Sequence, residues 1–293
     1  MTTKWAPGVT GAWLEVVRAG ALTTVQDLGR PGYAHLGVPR SGALDAPALR
    51  RANALTGNPV DAAGFETTLT GCAFRLPAGG VIAVTGALAR IRVDGVEVGP
   101  DAPVDVPAGG LVDVGRATAG VRSYVAVAGG LAVPAVLGSR STDTLSGLGP
   151  ARVRDGDRLP LGRQTPRSGV ALPASTAGHE PIILPVRLGP RDDWFAAEAV
   201  EKLLTTAYTV SPNSNRVGAR LAGAGLTRAE AGELPSEGVV LGAVQVPADG
   251  QPLVFLADHP TTGGYPVIAV VTDVTALAQA RPGSTVRFHG PER

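Results

Sequence analysis

The stretch LPAGGVIAVTGA at 76–87 reappears in altered form as VPADGQPLVFLA at 246–257, with Pro77 and Pro247 separated by 170 positions. ETTLTG (66–71) is answered by EGVVLG (237–242), VVRAG (16–20) by PVRLG (185–189), and DVPAGGLVDV (105–114) by QARPGSTVRF (279–288). Each match alone carries little weight in a chain rich in Gly, Ala and Val. Four in one order, at nearly one spacing, point to two copies of one folding unit. The apolar runs inside each copy are short: VIAVTG, ARIRVDG, VRSYVAVAGG, LVFLAD and PVIAVVT alternate or are continuously apolar, as strands do. The 40 Gly and 25 Pro of the 293 residues far exceed average usage, and among so many apolar residues they signal frequent turns rather than disorder. Helices are few. LDAPALRRANALTGN offers Asp45 as cap, Pro47 in the first turn and Gly57 as stop. PRDDWFAAEAVEKLLTT sets Phe195, Ala199, Val200, Leu203 and Leu204 against Glu198, Glu201 and Lys202, and DVTALAQARPG ends on Pro282-Gly283. The expected fold is mainly β with a few helices: two β-barrel domains related by internal duplication, at residues 12–163 and 181–293. The low-complexity stretch at 164–180 reads as a linker.

Composition removes several classes of function. A net charge of +1 gives no electrostatic case for nucleic acid or an anionic membrane. No apolar run approaches the ~18 residues of a membrane span, and MTTKWAPG has no apolar signal core. A single cysteine, Cys72, excludes an internal disulfide and a cysteine zinc site, and suits a reducing cytoplasm. Only Lys4 and Lys202 are lysines. No G-x-x-x-x-G-K-[ST] exists, so an ordinary phosphate loop is absent, and Met1 as sole methionine excludes a Met-Lys-Met biotin attachment site. His35, His179, His259 and His289 form no HxH or HxxxH pair, so no metal site is expected.

Polar residues gather in four glycine-jointed segments. TTVQDLGRPGYAHLGVPRSGALD (23–45) packs Gln26, Asp27, Arg30, Arg40, Ser41 and Asp45 between glycines and prolines. LGSRSTDTLSGLG (137–149) strings Ser139, Arg140, Ser141, Thr142, Asp143 and Thr144 after a strand. SPNSNRVGARLAG (211–223) presents Asn213, Ser214, Asn215, Arg216 and Arg220, and LADHPTTGGYP (256–266) ends a strand with Asp258, His259, Thr262, Gly263, Gly264 and Tyr265. Glycine pairs let backbone N–H groups turn toward an anion, and arginines supply a forked donor for the same groups. Asp258, at a strand end beside glycine-rich backbone, is the carboxylate placed to act as base or to hold an amide. Asn53 shares a helix face with Leu49 and Ala52, so it points inward and needs partners, with Glu66 or Asp27 as candidates.

These segments, with RRANALTGN, FETTLTG, YVAVAGGLAVPAVLGSRST and EGVVLGAVQVPADGQPLVFLADHPTTGGYP, resemble the family of the KipA protein. That family includes the C subunit of 5-oxoprolinase, allophanate hydrolase subunit 2 and a half of the carboxyltransferase domain of urea carboxylase. The resemblance runs from about Leu14 to Phe288 and departs from the family pattern at Pro260, where Gln is expected, and at Val217, where Met is expected.

The resemblance implies a pair of cyclophilin-like β-barrels and a place in a larger complex, as the C subunit of an ATP-dependent 5-oxoprolinase that opens 5-oxo-L-proline to L-glutamate. The implied partners are a KipI-like B subunit, together with a homologue of the A subunit, and the substrate is a small amide. No tightly bound cofactor is implied; ATP is a co-substrate of the complex and biotin is not attached to this chain. The site it implies has three walls. The first is Gln26, Asp27, Arg30, Ser41 and Asp45; the second is Ser139, Arg140, Ser141 and Thr142. The third is Asn215, Arg216, Arg220, Gln245, Asp258, Thr262, Gly263, Gly264 and Tyr265, with Asp258, Gln245 and Arg216 nearest the chemistry. Two other functions share the scaffold. One is a carboxyltransferase subunit of a biotin-dependent urea or amide carboxylase, or of an allophanate hydrolase-type complex. The other is a KipA-like antagonist of a KipI-like histidine-kinase inhibitor.

Overall fold

The computed structural model describes residues 11–164, 181–230, 232 and 234–290. The expected linker at 164–180 lies, apart from Gln164, outside the described residues. The chain divides into two compact units. One takes in the chain up to Arg30, Asp45–Asp143 and the stretch from Gly147. The other takes Pro31–Leu44, Thr144–Ser146 and the C-terminal part. Two pieces of the expected first domain are thus grouped with the second unit.

The first unit is built on β1 (Trp13–Arg18), β2 (Leu22–Gln26), β3 (Gly64–Thr68), β4 (Ala73–Leu76), β5 (Gly80–Val93), β6 (Val96–Val98), β7 (Val104–Val106), β8 (Gly110–Val127) and β9 (Arg158–Pro160). They form one nine-stranded sheet with the path β2-β3-β8-β4-β1-β9, while β5 pairs with β6, β7 and β8. The register explains how one sheet serves both a core and a polar layer. Val25, Phe65, Val125 and Val84 sit side by side across β2, β3, β8 and β5 and belong to one apolar cluster. One residue along each strand, Thr24, Glu66, Tyr124 and Thr85 form a second row, and period-2 alternation turns it to the opposite face. That face is covered by α1 (Ala46–Thr56): the Thr85 hydroxyl donates to the Ala48 carbonyl at 2.7 Å.

The helix begins and ends where its sequence signals lie. The Asp45 carboxylate accepts the Ala48 N–H at 3.0 Å, and Gly57 closes the helix in the left-handed region at φ 79°. Asn53 does turn inward, but its amide reaches neither Glu66 nor Asp27. It donates to the Ala62 carbonyl at 2.7 Å and accepts from Asn58 at 3.2 Å, fastening the helix to the turn that follows it.

In the second unit, β10 (Ile182–Leu188), β11 (Ala207–Val210), β12 (Gly218–Ala222), β14 (Ala243–Gln245), β15 (Leu253–Phe255), β17 (Val267–Val271) and β18 (Thr285–His289) close a seven-stranded barrel. Its order is β10-β17-β14-β15-β12-β11-β18, and β18 returns parallel to β10. A separate ribbon pairs β13 (Glu237–Gly238) with β16 (Thr262–Gly263). Leu184, Val186, Val210, Val244, Val254, Ile268 and Phe288 fill the core, together with Ala199, Val200 and Leu203 of α2 (Ala197–Thr205). The third expected helix is a single 3-10 segment, Thr275–Gln279.

The architecture is mainly β with two α-helices, and only the second unit closes into a barrel among the described residues. In the first, β5 and β8 are 14 and 18 residues long, with register shifts between Gly86 and Ile91. Such irregularities bend a strand, so these two serve several neighbours while β2 and β9 stay at the ends of the path. Strand neighbours do not repeat between the halves. β1 pairs with β4, whereas their sequence counterparts β10 and β14 are separated by β17.

Candidate functional site

In the first unit the polar residues of two loops converge on one carboxylate. Asp27 follows β2 and is buried. Its Oδ1 accepts the hydroxyls of Ser139 and Ser141, each at 2.6 Å, and the Gly29 N–H at 2.8 Å. Its Oδ2 accepts the Arg140 N–H at 2.5 Å, and its own N–H donates to Ser141 Oγ at 3.0 Å. Gln26 donates to the Thr142 carbonyl at 2.9 Å and to Thr24 Oγ1 at 3.0 Å, while its own buried Oε1 accepts from no described residue. Arg30 is 1 % exposed and donates to the carbonyls of Ser141 and Val136. The Ser139–Thr142 turn is thereby pinned from beneath along its whole length. Arg140 alone lifts its side chain out, half-buried, with Nε donating to the Val133 carbonyl at 2.8 Å.

Beside this knot lies a buried layer that sequence reasoning left out of the site. Tyr124 Oη donates to Glu66 Oε2 at 2.9 Å and accepts the Asp45 N–H at 2.7 Å, and Arg122 Nε stands 3.5 Å from Glu66 Oε1. Burial first, then the charges of Glu66 and Asp45, hold the Tyr124 phenol well above its ordinary pKa, so it remains a donor to Glu66. Asp45 is spent on this layer and on capping α1. The signal that finds these residues is the alternation in GFETT and VRSYVAV, which puts Glu66 and Tyr124 opposite Phe65 and Val125.

The second unit is organised around Asp258, which is fully buried. Arg216 donates to it through Nε and Nη2, both at 2.9 Å. Ser41 Oγ donates to Oδ1 at 2.8 Å; the Thr144 N–H and hydroxyl donate to Oδ2 at 2.9 and 2.7 Å. Arg216 Nη2 also reaches the Gly42 carbonyl at 2.7 Å. Ser41 holds a left-handed φ of 53°, uncommon outside glycine, and its N–H donates to the Ala257 carbonyl at 3.0 Å. Burial pushes the Asp258 carboxyl upward in pKa. The Arg216 charge and the bonds from Arg216 and Thr144 outweigh it, so the carboxyl sits below its ordinary value.

A smaller cluster surrounds Gln245 at the end of β14. Its Nε2 donates to the Tyr265 carbonyl at 3.0 Å. A Cβ on Gly263 would stand 2.6 Å from that same nitrogen, so glycine there lets the amide approach. Tyr265 is 39 % exposed, with the Arg228 guanidinium 5.7 Å from its ring centre. Asn215 closes an Asx turn on Val217 and Gly218, while Arg220 and Thr262 are exposed. Of the residues proposed from sequence, Gln26, Asp27, Arg30, Ser139, Arg140, Ser141 and Thr142 form one cluster. Ser41, Arg216 and Asp258 form another, joined by Thr144; Gln245, Gly263 and Tyr265 form a third. Among the described residues no group of three His, Cys, Asp or Glu side chains is placed to hold a metal ion. No described helix is long and apolar enough to cross a membrane.

The chain belongs to the family of carboxyltransferase domains, subdomains A and B, which matches residues 36–290. Its relatives fall into two groups. It is 40 % identical over 282 residues to the 5-oxoprolinase C subunit of Escherichia coli (strain K12), an alignment covering 94 % of this chain and 90 % of that one. The 5-oxoprolinase C subunit of Haemophilus influenzae is 34 % identical over 281 residues, with the same coverage of both chains. Urea amidolyase of Saccharomyces cerevisiae is 33 % identical over 304 residues, which span 94 % of this chain and 16 % of that one. The solved structure of K. lactis urea amidolyase superposes with a TM-score of 0.86 at 31 % identity, over 98 % of this chain and 19 % of that one.

Proposed function

We propose that the chain is the C subunit of an ATP-dependent 5-oxoprolinase, which hydrolyses 5-oxo-L-proline to L-glutamate together with a KipI-like B subunit, the remaining member being a homologue of the A subunit. The observation that carries this is the 40 % identity, over 94 % of the chain, to a 5-oxoprolinase C subunit. ATP is co-substrate of the assembly and supplies the free energy for opening a stable lactam. No biotin is carried by this chain. A single buried cysteine suits the cytoplasm as its compartment. Two cyclophilin-like barrels at 12–163 and 181–293, descended from one unit, are our reading of the four sequence matches, with strand order having diverged since.

The geometry suggests a division of labour. Asp258 has five donors on its two oxygens and a lowered pKa, so we assign it the task of holding Arg216, Ser41 and Thr144 in place rather than abstracting a proton. Asp27 does the same for the turn of Ser139, Arg140 and Ser141. Gln245, its Nε2 occupied by the Tyr265 carbonyl, keeps Oε1 as an acceptor within the second unit, and we assign it a part in the reaction.

A second reading, a carboxyltransferase region acting on urea or a related amide, is favoured by the 33 % identity to urea amidolyase over the same share of this chain. Co-expression with the A and B homologues, purification and assay for ATP-dependent glutamate release separates them. Glutamate release by the complex, and none by the isolated chain, is expected. A complete complex silent toward 5-oxoproline, but active in biotin-dependent carboxylation of urea, would install the second reading instead.

A further inference from the structure

The candidate arginines differ in what their guanidinium groups already do. Arg30 and Arg216, each 1 % exposed, are committed to carbonyls and to Asp258. Arg220 is exposed and engages its neighbours through its backbone, with its N–H on Ser214 Oγ. Arg140 is unlike all of these. Its backbone N–H is fixed to Asp27 at 2.5 Å, and its neighbours Ser139 and Ser141 are fixed to the same carboxylate at 2.6 Å. Its Nε is tied at 2.8 Å to the carbonyl of Val133, a residue with no exposure. No described residue accepts from Nη1 or Nη2, and no described carboxylate pairs with the group.

A guanidinium tied through Nε, on a turn whose backbone N–H and flanking serines are fixed to one carboxylate, half-buried and with its Nη edge open, is prepared for a planar two-oxygen anion. Its orientation is fixed before binding, so little conformational freedom is lost when two parallel N–H···O bonds form. We infer that Arg140 is a carboxylate anchor on the first unit, that it sets specificity for a lactam bearing an adjacent carboxylate, and that Asp27 is its positioning residue. This rests on the 5-oxoprolinase reading for the identity of the ligand: 5-oxo-L-proline carries such a carboxylate, and 2-pyrrolidinone is the same ring without it.

The test uses the assembled complex and two readouts. In steady-state assays, Arg140→Gln is expected to raise KM for 5-oxoproline about 10–100-fold, the range for loss of a charge-assisted pair. Arg140→Lys is expected to recover only part of this, because an ammonium lacks the fork. In the second readout, Arg140 of the wild-type complex is modified with phenylglyoxal and followed by peptide mass spectrometry. Protection by 5-oxoproline, and none by 2-pyrrolidinone at the same concentration, is expected. Turnover with KM unchanged in Arg140→Gln overturns the anchor, as does equal protection by the two lactams or protection by neither. Selective protection without any glutamate release keeps Arg140 as a carboxylate site and removes the 5-oxoprolinase reading.

Discussion

Arg216 meets Asp258 edge-on, Nε to Oδ2 and Nη2 to Oδ1, both at 2.9 Å, in a pair with 1 % and 0 % of their side chains exposed. Two ions taken this far from water are held only because every remaining lone pair is used. Ser41 and Thr144 fill the carboxylate, and the Gly42 carbonyl takes a further guanidinium proton. The pair therefore fastens segments 41–42 and 144 to the residues that precede β12 and follow β15 in the same unit.

Removing one partner leaves the other buried and charged, which costs about 3–5 kcal/mol. Asp258→Asn is expected to lower the unfolding free energy of the isolated chain by an amount in that range. The sign with pH follows from the lowered pKa. The carboxylate's contribution is fully present above the ordinary Asp value of 3.8 and is lost as pH falls through the lower folded value. Urea titrations from pH 7 down to pH 3 should show wild type losing stability faster than Asp258→Asn, so that the gap between them narrows. A gap constant across that range would remove Asp258 as the group responsible.

Cys72 is buried in the first unit's core, and burial pushes its thiol pKa up to about 12, ahead of the opposed influences of Arg18 and Asp113. A thiol held protonated is a poor nucleophile. The folded chain should show no reaction with a thiol-specific disulfide reagent at pH 8 over the time in which the guanidinium-unfolded chain reacts fully with one equivalent. Fast stoichiometric labelling of the native protein would mean that this part of the core opens readily.

The strands and the first helix were legible because their causes are local. Asp45, Pro47 and Gly57 mark α1 within a dozen residues, and the alternation of Val25, Phe65 and Val125 marks one sheet face. The grouping of polar residues into four segments was local too. Which residue answers which was not. Ser139 and Ser141 reach Asp27 across 112 and 114 positions, and Thr144 reaches Asp258 across 114. Sequence reading treated Asp258 as a free carboxylate because nothing near it in the chain announces Ser41 or Thr144. It gave Asn53 the wrong partners for the converse reason: the true ones, Asn58 and Ala62, are neighbours passed over in favour of distant acids. Barrel closure in one unit alone was hidden as well, since it depends on how long β5 and β8 run and where they bend.

Gly263 separates a requirement of the site from a requirement of the fold. A methyl there would come within 2.6 Å of Gln245 Nε2, the end of a flexible side chain, and β16 needs no left-handed backbone at that position. Gly242 is the contrasting case: its φ is 83°, and a Cβ would stand 2.2 Å from the Val271 carbonyl oxygen, which belongs to a barrel strand. Gly263→Ala should leave the thermal midpoint almost unchanged, a stability loss of roughly 1 kcal/mol or less, because only the Gln245–Tyr265 bond must break. Gly242→Ala should destabilise by several times as much, since backbone strain and a backbone collision add. In the assembled complex the order reverses per unit of stability lost. Gly263→Ala is expected to reduce kcat/KM for 5-oxoproline on the order of tenfold by turning the Gln245 amide away, while Gly242→Ala loses activity only in step with its folded fraction. Calorimetry of both chains beside kinetics of both complexes decides it: full activity in Gly263→Ala would show that the Gln245 amide has no part in the reaction.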